Sequence, residues 1–152
     1  MRKACAIAFL VTLMISASPE AAAQIWMTGG NALMTINTAL PGQQPLPIGN
    51  TSTGMLFITG AATRKISVAT ICPGQHFTLS VLATNPSIGI AAPEVQLTDG
   101  MLGLDFITEI PPGLPFLGFS TLQYTASATF EQGNSLELGD DLHTVTYTIT
   151  DQ

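Results

Sequence analysis

Thr121-Leu122-Gln123-Tyr124-Thr125-Ala126-Ser127-Ala128-Thr129-Phe130 alternates apolar with hydroxyl or amide side chains at every step. In extended backbone, successive side chains point to opposite faces. Leu122, Tyr124, Ala126, Ala128 and Phe130 therefore share one face, and the threonines, Gln123 and Ser127 share the other. On a helix the same five apolar residues would be scattered around the axis. A second stretch, Thr144-Val145-Thr146-Tyr147-Thr148-Ile149-Thr150, repeats the pattern with Val145, Tyr147 and Ile149 on the apolar side. Both predict amphipathic strands of an antiparallel sheet with one wet face. Threonine supplies that wet face, which lets a chain with only 9% charged residues stay soluble.

Further strands are expected upstream at 33–38, 55–59, 66–71, 77–82, 94–98 and 104–110. Turn chemistry separates them, at 60–65, Cys72-Pro73-Gly74-Gln75, Asn85-Pro86-Ser87 and Asp99-Gly100. No helix-period stripe of useful length competes after residue 24. Seven to eight short strands predict an all-β fold, an antiparallel β-sandwich; their uneven spacing suits a closed barrel less well. Two connections, 41–53 and 111–118, carry three prolines each. Because proline cannot donate to a ladder, they read as loops or crossovers. The second leads through Leu114, Phe116, Leu117 and Phe119, which either plug the end of the sandwich or form an apolar patch for a partner.

The amino terminus has a different character. Arg2 and Lys3 precede an apolar run of 14 residues, 4–17, and then Ala21-Ala22-Ala23. A bilayer core about 30 Å thick needs a longer run, so residues 1–23 are expected to be a cleaved signal peptide, with 24–152 a single domain. The product would be secreted or periplasmic and placed at the cell surface, with no membrane span after cleavage. Residues 24–152 hold two basic and nine acidic residues, a formal charge of 2 − 9 = −7. Nucleic acid is excluded as a partner, since its binding needs a clustered basic footprint. The leader takes Cys5 with it and leaves Cys72 as a single thiol, either a small buried side chain or half of an intermolecular disulfide.

Catalytic constellations are sparse. Two histidines, His76 and His143, leave little room for a triad, no G-x-S-x-G elbow occurs, and Asp140-Asp141 reads as a pair of solvated loop acids. Cys72 and His76 have a spacing that could ligate copper. However, blue-copper sites draw on an earlier histidine and a nearby methionine, and here His143 lies far downstream. Asp99-Gly100 with Asp105 lacks the alternating acids of a calcium loop. The triplet Asn50-Thr51-Ser52 matches a glycosylation acceptor but adds little behind a leader of bacterial type. The expectation is no enzyme, no cofactor and no metal.

The carboxy-terminal stretches 124–130 and 144–150, joined through Gly133 and Gly139, resemble the closing hairpin of secreted bacterial pilin and spore-coat-protein-U-type domains. Asp141 and Asp151 stand where that family has tyrosines, and its usual cysteine pair is missing. The resemblance implies an exported immunoglobulin-like sandwich built into a surface fibre or coat. Subunits of that kind accept an extended segment from a neighbour. Residues 24–30 could be such a segment, with Ile25 and Met27 as anchors and Trp26 facing away; the simpler reading of them is an ordinary first strand or a loose terminus. The functional expectation is a structural or adhesive cell-surface subunit (fimbrial or coat-like), with self-association or another exported protein as partner. The alternative is a monomeric periplasmic binding or chaperone-like module.

Overall fold

The computed structural model describes residues 8–11, 23–113, 117–134 and 139–152. In chain order the strands are β1 (Ala8–Val11), β2 (Gln24–Thr28), β3 (Ile48–Ile58), β4 (Arg64–Ile71), β5 (Thr78–Thr84), β6 (Ile90–Ala91), β7 (Val95–Leu97), β8 (Met101–Ile110), β9 (Leu117–Ser127) and β10 (Leu142–Asp151), with one short helix, α1 (Phe130–Asn134), before β10. They form two five-stranded sheets, ordered β1-β10-β4-β8-β6 and β2-β3-β9-β5-β7. All pairings are antiparallel except that of β1 with β10. The fold is all-β, as the alternating stretches predict. From β3 onward each successive strand lies in the other sheet.

The apolar faces meet in one core cluster that draws on both sheets. Val68, Phe106, Ile107, Val145 and Tyr147 come from the β10-β4-β8 side, and Phe57, Leu79, Val81, Leu122 and Tyr124 from the β3-β9-β5 side. Burying each of these larger side chains contributes roughly 1.5–3 kcal/mol. The Tyr124 and Tyr147 hydroxyls lie 2.8 Å apart within the core, so each buried O–H finds a polar partner across the two sheets.

Several sequence expectations change in detail. Residues 33–38 form no strand, although Met34 is buried in the core alongside Ala32. The loop expected over 41–53 ends early, because β3 begins at Ile48, past the last of its three prolines. Between Asn50 and Thr53 the ladder with β9 slips by a residue: Asn50 faces Tyr124 but Thr53 faces Leu122. Asn50 Oδ1 accepts the Ser52 N–H at 2.9 Å, a local bond that competes with regular pairing and fits a bulge. Strand β9 starts at Leu117, inside the second proline-rich connection, and stops at Ser127. There Thr129 and Gln132 form a reciprocal capping box, with Gln132 N–H on Thr129 Oγ1 (3.3 Å) and Thr129 N–H on Gln132 Oε1 (2.7 Å), which starts α1 where alternation predicted strand. The closing hairpin is not one, since β9 and β10 lie in different sheets. Of the segment read as a leader, β1 and Ala23 are described, and the cleavage motif otherwise lies outside the described residues.

Candidate functional site

β4 and β10 pair antiparallel with Thr144 opposite Ile71. One step further along this register, His143 comes opposite Cys72. The 70 residues of chain between β4 and β10 hide this neighbourhood from any local spacing rule. Cys72 begins a turn closed by Gln75 N–H donating to the Cys72 carbonyl at 3.0 Å, with Pro73 and then Gly74 at φ +72° in its two central places. That arrangement is a type II turn, and its third position requires the left-handed conformation that glycine adopts freely. The turn carries the chain from β4 in one sheet toward β5 in the other.

Asp141, the residue before β10, fastens this crossover. Its carboxylate accepts the Phe77 N–H at 2.7 Å and the His76 N–H at 2.9 Å, and His76 Nδ1 lies 3.2 Å from its Oδ1. The residue is 3% exposed, so the expected solvated loop acid is in fact a buried carboxylate tying β10 to the start of β5. Asp99 Oδ1 accepts the Cys72 N–H at 2.7 Å, and Gln75 bridges to the Phe77 and Leu97 carbonyls at 2.9 Å each. In the middle of this network Cys72, Asp141 and His143, all buried, bring a sulfur, a carboxylate oxygen and an imidazole nitrogen within 4.8 Å of one another. Thr70 Oγ1 lies 3.3 Å from His143 Nδ1.

Burial first, and then the nearby Asp141 and Asp99 carboxylates, push the Cys72 thiol up to about 11; a hydrogen bond from the Leu142 backbone acts the other way. Burial lowers the His143 value, with the same two carboxylates opposing. At neutral pH the thiol keeps its proton and His143 is uncharged. A nucleophilic cysteine requires the opposite setting, a depressed value and access to substrate. The three groups have the chemistry of ligands more than of a catalytic triad.

The second feature is an apolar row on the outer side of the other sheet. Register places Trp26 opposite Leu56 and Leu56 opposite Phe119, across β2, β3 and β9; the next row sets Ile58 opposite Leu117. Trp26, Leu117 and Phe119 are 40%, 55% and 54% exposed.

The residues singled out in the sequence are distributed as follows. Leu117 and Phe119 lie in β9 on this apolar row, while Leu114 and Phe116 lie outside the described residues. Ile25 is buried and Met27 half-buried against the core, both in β2, which pairs with β3. Trp26 points outward between them and joins the apolar row, a role the alternation around it indicates only once β2 is set beside β3. Cys72 is buried, so reaching a thiol on another chain requires the crossover turn to open. Comparisons with family models, with curated proteins and with solved structures returned no match.

Proposed function

We propose that the chain is an exported, non-catalytic subunit, an immunoglobulin-like sandwich that assembles with copies of itself at the cell surface. The observation that carries this reading is the cross-strand row Trp26–Leu56–Phe119, continued by Ile58–Leu117. Contiguous apolar side chains held on a sheet face mark a protein interaction surface. A second copy is the fitting occupant because the row bears no charge. The few basic side chains outside the leader are engaged elsewhere: Arg64 pairs with Asp151, and Lys65 with Asp105 at 2.8 Å. Two such faces can meet without desolvating ions. The leader-like start, the threonine-faced strands and the sparse catalytic groups support the same assignment.

The chain's single tryptophan, Trp26, provides the test. With rising concentration, sedimentation is expected to show a growing mass and Trp26 emission to move to shorter wavelength. Phe119→Ser is expected to hold the protein monomeric while changing stability by no more than about 0.5 kcal/mol, as for a surface site. A wild-type protein that stays monomeric at every concentration, alone and in surface fractions, rejects the assignment. One observation favours the alternative, a module that binds another exported protein. The outer edge of β10 is bordered by β1, which lies within the leader-like segment; processing would open that edge to strand addition by a different chain. A one-to-one complex with a second polypeptide would then replace self-association.

A further inference from the structure

We propose that Cys72, Asp141 and His143 form a binding site for a single divalent transition-metal ion of the zinc class. The proposal stands apart from the assembly surface, which lies on the other sheet. The donor set of thiolate sulfur, imidazole nitrogen and carboxylate oxygen is the one zinc takes, with three protein ligands and a fourth position for water or another donor. Tetrahedral bonds of about 2.0–2.3 Å place ligand atoms roughly 3.4–3.6 Å apart. All three lie within 4.8 Å already, so no pair has to close by more than about 1.4 Å.

The surroundings fit an ion. The Leu142 backbone donates to the Cys72 sulfur, a bond that supports a thiolate. The Thr70 hydroxyl beside His143 Nδ1 is the kind of contact that orients a ligating imidazole. A carboxylate offers about four lone-pair sites, more than the two amide N–H groups and the His76 ring use on Asp141. Electrostatics points the same way. Among the described residues, Arg64 and Lys65 pair with Asp151 and Asp105. Among the described residues the buried Asp141 has no ion pair with a lysine or arginine, and Asp99 stands close by on the Cys72 amide. A divalent cation would balance the carboxylate and a Cys72 thiolate, the thiol proton leaving to solvent as the metal–sulfur bond forms. His76, partly exposed, is bonded to Asp141 at the solvent side of the cluster.

The test uses the full chain purified reduced and free of metal, titrated separately with Zn2+ and with Co2+. One ion per chain is expected, with release of protons. The cobalt form should show a near-ultraviolet thiolate-to-metal charge-transfer band and the visible bands of a tetrahedral site. Zn2+ at a hundredfold excess over its dissociation constant should raise the unfolding midpoint by about 8 °C or more. Cys72→Ala should abolish the charge-transfer band and weaken binding at least about tenfold. Cys72→Ser, which keeps an atom at the γ position, repeats the measurement if the alanine variant does not fold; circular dichroism of the metal-free variants checks folding. Absence of the thiolate band, with an unfolding midpoint unmoved by millimolar Zn2+, overturns the proposal. So does binding that survives loss of Cys72 but disappears in His76→Ala, since the ion would then sit at the surface.

Discussion

Gly118 shows how one residue fixes a strand. It stands opposite Phe57 in the β3–β9 ladder, and a Cβ built on it would lie 2.2 Å from Phe57 Cε2 and 2.4 Å from Cζ. The fully buried ring occupies the space that any other residue's side chain would need. Gly118→Ala is therefore expected to cost about 1–3 kcal/mol by overpacking, read as a lower denaturant midpoint. Phe57→Leu placed in the same chain should recover part of the loss; an unchanged midpoint in the single variant would show that the ring moves without cost. In the sequence this glycine reads as loop punctuation after three prolines, because nothing local announces an aromatic ring from a strand sixty residues earlier. Asp141 is a parallel case. Beside Gly139 and Asp140 it has the composition of a turn, and only the backbone of His76 and Phe77, brought from the other sheet, makes it a buried staple.

At the scale of elements, alternation carried the assignments where a strand has one wet face and regular pairing. β4, β5, β9 and β10 are legible from Ile66-Val68-Thr70, Leu79-Val81-Ala83, Leu122-Tyr124-Ala126 and Val145-Tyr147-Ile149. It failed where local hydrogen bonds compete, as at the Asn50 bulge and the Thr129–Gln132 cap. It failed also at Met34, where the side chain is buried while the backbone joins no strand. Partnership between elements was less legible than their existence. β9 and β10 read as a hairpin, yet each lies in its own sheet, and they meet through the Tyr124–Tyr147 contact. That contact has a pH signature. Burial pushes Tyr124 up to about 12 and raises Tyr147 well above its ordinary value, the latter raised further by its partner. Each tyrosine is thus held neutral in the fold while the unfolded chain ionises near 10. The stabilisation is complete below pH 10 and is lost as pH rises from there through 12, by up to about 1.4 kcal/mol per pH unit for each tyrosine. Cys72, raised from 9.0 to about 11, acts in the same direction from a lower pH. Denaturation followed from pH 8 to pH 12 should show this decline, and a Tyr124→Phe, Tyr147→Phe chain should retain only the part that belongs to Cys72. An unaltered slope in that variant would remove the tyrosines from the account.

For the molecule as a whole, the alternation of strands between sheets governs how it forms. β4 finds its partner in β10, and β3 and β5 are joined by β9, so most ladders close long stretches of chain. Loop-closure entropy is then incurred before most contacts form, and folding in milliseconds to seconds is expected, as for other all-β domains of high contact order. Stopped-flow refolding measures it; a microsecond phase carrying the full amplitude would contradict this topology. The candidate metal ligands follow the same logic, since Cys72 and His143 adjoin only through the β4–β10 register. Their proximity could be read only by assuming that pairing and counting outward from it. The order of strands also sets a direction in time. A chain that emerges from a narrow exit, amino terminus first, releases eight strands before the two that knit them together. Until the last of β10 has cleared that exit, half-made sheets stand with open edges, and any factor that shields them must remain bound until β10 has paired.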